Sequence, residues 1–515
     1  MWCVALSVAL ARGIAEAAEE AKSEVAKADS TATPASGKQP QKPPAAGPKK
    51  PAATEPKKTS TMGMAQFAMP KVPTAGKAPS PELPQRLTYQ YAYGSQSDIV
   101  YRRDPDLNRR VRDDSLIFAP QLNAYVTYRP SDWLETTLEM KIDKEFPAVE
   151  EGSILLPNGE TQFAADRNWS LLIEQIYLSF KAPAERFRLT VGRRNYEDER
   201  HWLVDTSMDT AALGFKLGQF RAEAAFGREL LVDLNLLAGT ESGAHQQGAK
   251  RKKDLINTSM LIVDYRGIED VKLGAFAVYR DDRSRAEGKP LLMGLQSQGM
   301  PSTSFSYWVL LAFVRGKDES TPAKKLSGYG LDVGATYRFN DLALYPSFTV
   351  GYAFGSGDAN PRDGTNTEFR QTGLQSNEAK FGGLAKFKVY GEVLDPELGN
   401  LRIATAAVGI RPAPNLSVDL VYHHYWLSEL AEELRNTAIT ALMNTAEGQS
   451  SKDVGSALDI VVGIRKLFGV RRLGVDLRAG LFFPGTAFLV DRGTPEKPSV
   501  RSADKGFTTF AKFWW

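Results

Sequence analysis

The chain has 515 residues, with 64 basic against 61 acidic side chains, a formal charge of +3 and one cysteine. That balance argues against a protein built mainly to grip nucleic acid, and one thiol excludes a disulfide framework. No apolar run of about 18 residues follows the N-terminus, which excludes a transmembrane helix but not a barrel, whose strands need only about 9–11 residues.

The first segment, "MWCVALSVALARGIAEAAEE", carries an apolar run followed by the small-x-small triplet Ala15 to Ala17. It reads as a secretory signal peptide over residues 1–17, and Cys3 would leave with it. Residues 18–85 are rich in Ala, Pro and Lys, as in "QKPPAAGPKKPAATEPKK". Such a composition cannot bury a core and is expected to be a disordered periplasmic linker, or a basic tether for acidic partners.

Residues 86–515 have a different and uniform texture. Short segments alternate apolar and polar residues between turn-formers. "WLETTLEMKID" sets Leu134, Thr136, Leu138, Met140 and Ile142 on one face, and Glu135, Thr137, Glu139, Lys141 and Asp143 on the other. "GLDVGATYRF" sets Leu331, Val333, Ala335, Tyr337 and Phe339 against Asp332, Thr336 and Arg338. "ALDIVVGIR" and "GVDLRAGLFF" put Asp459, Arg465, Asp476 and Arg478 on the polar side. Roughly eighteen such segments recur, a spacing suited to alternating short turns and longer loops.

A soluble β-sandwich or propeller would bury the apolar faces, whereas a membrane barrel would turn them to lipid and the charged faces to a wet lumen. Three features favour a single transmembrane antiparallel β-barrel of about 18 strands. The apolar faces end in tyrosine and phenylalanine, and the polar faces are rich in Gly, Arg and Asp. The chain also ends in "GFTTFAKFWW", with Phe507, Thr509, Ala511, Phe513 and Trp515 on one face.

"FRLTVGRRNYEDERHWLVDTSMD" then reads as a strand with Val191 outward and Arg188, Thr190, Gly192 and Arg194 inward. The strand is expected to end near Arg194 and the next to begin near Met208, with a charged rim or pore segment between. Glu197, Asp198 and Glu199 could be read as a glycosidase pair, but sequence spacing alone cannot set two carboxyls across a sugar. Charges that hold the loop in shape are the ordinary reading. His423 and His424 are adjacent on a strand and point to opposite faces, so they make no normal two-histidine metal site. "WLSELAEELRNTAITALMN" (Trp426 to Asn444) spaces Leu427, Leu430, Leu434 and Ile439 as an amphipathic helix.

Several stretches in chain order resemble the bacterial alginate export family. They are the Gly-Arg of Gly192 and Arg193 with the Asp198-x-Arg200-x-Trp202 that follows, then "FGSGDANPRDGTNTEFRQTGLQSNEAKFGG" from Phe354. "VYGEVLDPELGNL", "LSVDLVYHHYW" and "LFFPGTAF" follow. The resemblance implies an 18-stranded outer-membrane barrel exporting an anionic polysaccharide such as alginate through a loop-restricted, arginine-lined pore. The N-terminal extension is not part of that pattern.

Alternation independently places Arg129, Lys141, Arg188, Arg194, Arg221, Lys272, Arg280, Arg338, Lys386, Lys388, Arg465 and Arg478 toward the lumen. Facing them are Glu135, Glu139, Asp143, Glu223, Asp332, Asp419, Asp459 and Asp476. A polyuronate carries a carboxylate on each sugar, which guanidinium forks bind bidentately. The expected pore-lining set is therefore Arg188, Arg193, Arg194, Arg221, Arg338, Arg370, Lys386, Lys388, Arg465 and Arg478. Arg193, Arg194 and Arg370 are picked out by the family-like motifs. Many of the charged pairs would equally serve as braces across the wall. No catalytic residue, cofactor or metal is expected. The expected partners are the anionic polysaccharide, outer-membrane lipid and periplasmic secretion-scaffold proteins. An anion-selective porin for small solutes and a polysaccharide-modifying surface enzyme are the alternatives.

Overall fold

The computed structural model describes residues 88–110, 114–149, 154–155, 161–162, 169–182, 186–229, 236, 255–283, 288–446, 448–491 and 500–515. The expected signal peptide and linker lie outside the described residues. Eighteen long strands form the wall. They are β1 (Thr88–Arg103), β2 (Ser115–Ser131), β3 (Leu134–Asp143), β4 (Ser170–Lys181), β5 (Phe187–Glu197) and β6 (Asp205–Leu217). Then come β7 (Phe220–Arg228), β8 (Ile256–Ile268), β9 (Val271–Asp282), β10 (Lys289–Ser302), β11 (Phe305–Lys317) and β12 (Tyr329–Arg338). The last six are β13 (Ser347–Gly355), β14 (Leu401–Ala413), β15 (Leu416–Leu427), β16 (Asp453–Arg465), β17 (Gly474–Pro484) and β18 (Gly506–Trp514).

Each strand pairs antiparallel with its neighbour in sequence, and β18 closes on β1 from Trp514 opposite Gln96 to Phe507 opposite Arg103. Trp515 extends the seam by exchanging backbone hydrogen bonds of 2.9 and 3.0 Å with Ser95. Closure satisfies every wall ladder and leaves no edge, the condition for a sheet to sit in hydrocarbon.

Connections alternate in length because successive ends lie at opposite rims. Gly218–Gln219, Glu269–Asp270, Thr303–Ser304 and Pro414–Asn415 make two-residue turns at one rim. Residues 356–400 and 428–452 are long connections at the other. The alternation seen in sequence fixes the two faces of the wall. Val126, Leu138, Val191, Leu311, Val350 and Leu420 point outward and are exposed, while Thr127, Thr137, Thr190, Thr336 and Thr349 are buried inside. Paired aromatics mark the short-turn rim: Trp133 with Phe180, Phe187 with Phe215, Phe220 with Tyr265 and Tyr93 with Trp515. Phe118 with Phe146 and Tyr329 with Phe354 mark the other. Two aromatic belts around an apolar band are what a barrel meeting two lipid–water interfaces requires.

Two sequence expectations are corrected. Strand β5 runs to Glu197 and β6 starts at Asp205, so the connection between them is shorter than the pattern implied. The segment after Leu427 is not a helix, and the described residues contain only two single 3₁₀ turns. Its backbone groups bond to other loops instead: Ala438 N–H to Leu394, Thr440 N–H to Pro105 and Asn444 N–H to Ala487. Asn436 and Asn444 take left-handed φ of 43° and 54°. Leu434, Ile439 and Met443 are buried, but against neighbouring loops rather than along a helical stripe. Tertiary partners for the backbone outweigh a modest helical propensity.

Candidate functional site: the filled lumen

The connection between β13 and β14, residues 356–400, turns inward and traverses the lumen. Its tip reaches the opposite rim. Arg338, the last residue of β12, donates to the carbonyl of Gly382 at 3.2 Å, and Arg411 donates to the same carbonyl through Nε and Nη2 at 3.0 and 2.7 Å. Arg465 holds the carbonyl of Leu384 at 2.6 Å, and the Leu384 N–H donates to Ser417 Oγ at 2.8 Å. Glycine is needed here because the loop lies directly on the wall. A Cβ at Gly382 would collide with Ser347 Oγ, and one at Gly383 with the Asp419 carboxylate.

A second inward element is the β5–β6 connection, residues 198–204. One carboxylate organises it: Asp198 accepts from the N–H groups of Trp202 (3.1 Å), Leu203 (2.8 Å) and Val204 (2.9 Å). The loop then docks onto the long one. Trp202 is fully buried, stacks on Phe369 at 6.2 Å between centroids, and donates Nε1–H to Tyr390 Oη at 2.8 Å. Gln371 and Thr372 bond to the carbonyls of Trp202 and Leu203, and the Ser376 and Asn377 N–H groups donate to that of His201. Trp202, Leu203, Phe369, Tyr390, Leu394 and Leu398 thus form an apolar core inside the barrel.

At the long-loop rim the inward loop is tied by charge. Arg370 pairs with Glu319 at 2.7 Å, and Arg435 reaches Glu319 and Glu368 at 3.6 and 3.4 Å. Deeper, Arg478 contacts Glu378 and Glu392 at 3.3 and 3.2 Å, and Lys388 contacts Asp395 at 3.1 Å. Burial works against a charged Glu378, but Arg478, Lys388 and Lys512 overcome it and hold its carboxyl at about 2. At the tip the balance is different. Lys380 is exposed to the lumen, and its pKa is lowered by burial and by the nearby Arg465, Lys386 and Arg411. A cation destabilised by other cations marks a positive field.

The family described as "Alginate export" matches residues 83–497. The chain belongs to the alginate export family. Two curated relatives are each named "Alginate production protein AlgE". The one from Azotobacter vinelandii is 28% identical over 180 residues, covering 32% of this chain and 36% of the relative. The one from Pseudomonas aeruginosa is 28% identical over 234 residues, covering 39% and 45%. The chain therefore spans less than half the length of either relative. Among solved structures, OccK9 (OpdG) from Pseudomonas aeruginosa aligns with a TM-score of 0.52 at 12% identity, covering 83% of this chain and 97% of that one. OccAB2 from Acinetobacter baumannii aligns at 0.51 and 14%, covering 82% and 98%. These show a shared barrel fold. This member of the alginate export family is an outer-membrane barrel.

The ten cations expected to line the pore of this family member occupy three kinds of place. Arg188, Arg194, Arg221, Arg338, Arg465 and Arg478 sit on inward rows of the wall. Arg194 pairs with Glu223 and lies 4.3 Å over the Tyr196 ring, Arg338 and Arg465 pin the loop tip, and Arg221 is exposed near the short-turn rim. Arg370, Lys386 and Lys388 are on the inward loop, not on a wall strand. Arg193 falls in the outward row of Val191 and Ile176, where it meets Asp209 at 3.3 Å and the Glu229 carbonyl at 3.0 Å.

Other inward charges brace the wall. Arg129 and Lys181 meet Glu135 at 2.6 and 2.7 Å, Lys141 meets Glu174 at 2.7 Å, and Arg280 meets Glu229 at 2.6 Å. The acids of the opening motif are similarly engaged, Asp198 by backbone and Glu199 by Lys272 at 2.9 Å. Glu197, His201 and Asp205 bring ligand-type atoms within 4.8 Å. They do not form a metal cradle, because the two carboxylates face different ring nitrogens and Lys386 Nζ lies 2.7 Å from the Nε2 that Glu197 faces. Alternation could not reveal Arg411, Lys380 or the Trp202–Tyr390 contact as parts of the site. The apolar "HWLV" inside a charged loop was the available hint that this loop is buried.

Proposed function

We propose that this barrel is the outer-membrane conduit through which an anionic exopolysaccharide, alginate or a similar polyuronate, leaves the cell. The observation that carries the reading is the convergence of Lys380, Lys386, Arg338, Arg411 and Arg465 about the inward loop tip. Burial first, and then Arg465, Lys386 and Arg411 acting against the nearby Asp476, disfavour charge on Lys380. In outer-membrane barrels short turns face the periplasm, so this basic end is where a polymer made inside the cell would enter. Carboxylates on each sugar would exchange between successive cationic positions, each too weak to hold the chain. Passage requires the inward loop and the 198–204 loop to yield, since their apolar core fills the lumen. The role is transport, with no step that makes or breaks a sugar bond. Periplasmic scaffold proteins would deliver the polymer to the short-turn rim.

The test is reconstitution in planar bilayers with uronate oligomers of defined length. Export of a polyuronate predicts oligomer-dependent block that grows with length. A small-anion porin predicts anion selectivity without that length dependence, and indifference to polyuronate would overturn the proposal. Cleavage of polyuronate by the purified protein would instead support an enzyme.

A further inference from the structure

The outward face of the wall is apolar along most of each strand, as contact with lipid requires. One sector breaks that pattern at the long-loop rim. Strand β11 carries Val309, Leu311 and Phe313 outward and then ends on Arg315 and Lys317, both exposed. The register sets two more lysines in line with them. Lys317 stands directly opposite Lys289 of β10 on one side. On its other side it stands opposite Lys325, in the two-residue strand Lys325–Leu326. All three lysines are exposed, whereas the adjacent Pro290 and Leu326 are buried, so the three side chains share the outer face.

Residues opposite one another in an antiparallel pair hold their Cβ atoms about 4.5–5.5 Å apart, and like charges placed so repel. Three lysines in one cross-strand row therefore cost the barrel stability. Little among the described residues offsets them. Lys289 meets Asp281 at 2.7 Å, a carboxylate that Arg283 shares at 3.6 Å. Arg315 donates only to the carbonyls of Val314 and Gly328, at 2.9 and 3.4 Å, which leaves its charge uncancelled. Among the described residues, none of Arg315, Lys317 and Lys325 makes an ion pair. The acids next in sequence are engaged elsewhere. Asp318 is buried and accepts from Ser320, Lys324 and Asn366, and Glu319 pairs with Arg370 and Arg435. The outward rows of β10, β11, β12 and β13 contain no acidic residue.

The level of the row selects its ligand. Phe313 stands opposite Tyr329, whose ring packs on Phe354 at 5.4 Å in the aromatic belt of this rim. At about 3.3 Å per residue along the strand, Arg315 lies about 7 Å and Lys317 about 13 Å beyond Phe313. The cations thus begin where the apolar band ends, on the side of the wall that faces the membrane. Long loops mark the cell-surface side, so the row meets the headgroups of the outward leaflet.

We propose that Lys289, Arg315, Lys317 and Lys325 form a binding site for the phosphate groups of a phosphorylated glycolipid in that leaflet. Phosphate oxygens supply the negative charge the row lacks, through charge-assisted hydrogen bonds from ammonium and guanidinium donors. The acyl chains lie down the apolar rows below, along Leu291 and Phe313. The site rests on the placement of the barrel in the outer membrane and is independent of what crosses the lumen.

Native mass spectrometry of the full chain in detergent, titrated with diphosphoryl lipid A or with phosphatidylglycerol, tests this. Diphosphoryl lipid A should be retained in preference to phosphatidylglycerol. Lys317→Gln combined with Lys325→Gln should weaken its binding roughly 10- to 30-fold, the scale of two cations beside an anionic headgroup. Lys466→Gln combined with Arg471→Gln removes the same charge from an exposed turn at the opposite rim, and should leave binding within about twofold. Without lipid, the Lys317/Lys325 double variant should refold at least as well as the parent, because it relieves like-charge repulsion. Heat-modifiable gel mobility reads that folding. Lipid A binding that the double variant retains in full would overturn the proposal, as would equal retention of phosphatidylglycerol. A double variant less stable than the parent without lipid would make the row structural and overturn it too. Displacement of bound lipid A by a uronate trimer would assign the row to a passing polymer instead.

Discussion

Replacing Trp202 with alanine probes what keeps the lumen filled. Trp202 is 0% exposed, packs its ring on Phe369 and Phe276 at 6.2 and 6.3 Å, and bonds to Tyr390 at 2.8 Å. Truncating a buried tryptophan costs about 3–5 kcal/mol. The wall strands keep all their ladder bonds in the variant, so the cost falls on the docking of the two inward loops rather than on the barrel. At about 1.4 kcal/mol per factor of ten, the undocked population rises by roughly 10²- to 4 × 10³-fold. Trp202→Phe keeps most of the stacking and loses the hydrogen bond, a cost of about 0.5–1.5 kcal/mol. Two measurements read the result. Single-channel recording in planar bilayers should show longer or more frequent open events in the order Ala, Phe, parent. Limited proteolysis should cut the 369–390 segment faster in the same order. A folded Trp202→Ala barrel with parental conductance and parental protection of that segment would refute the view that this contact seals the lumen.

Three further outcomes follow from the same geometry. Asp198→Ala strands three buried N–H groups at roughly 1–3 kcal/mol each if none finds water, and should raise amide exchange at Trp202, Leu203 and Val204 specifically. Arg411→Ala removes the two-pronged hold on Gly382, and should increase proteolytic access to the loop tip while leaving the 198–204 loop protected. Leu311→Arg, at the middle of β11 on the outward face, should destabilise the lipid-embedded barrel by about 2–4 kcal/mol in urea-driven refolding. The same substitution would be nearly silent if that face met water.

The barrel was legible because a two-residue period needs no long-range information. Leu138 and Lys141 reveal their faces from their neighbours alone, and the strand count and the aromatic closing strand follow in the same way. Arg194 is likewise inward and Val191 outward, as local alternation required. Alternation misled at Lys386 and Lys388, where short runs that look like strand belong to a loop inside the lumen. Helical spacing misled at Trp426 to Asn444, where an apolar spacing of three and four satisfied a helix template, while the backbone found its partners in the 394, 105 and 487 regions.

Sequence alone therefore determined the wall, since in a closed sheet each side chain's surroundings are set by parity and by the solvent on either side. Only the tertiary structure decided what the lumen contains. Trp202 meets Tyr390 across 188 positions, and Lys386 meets His201 across 185. Contacts of that separation have no period to announce them. They exist because the wall brings two loops into one enclosed space, where apolar side chains and unspent backbone donors must find each other or remain unsatisfied.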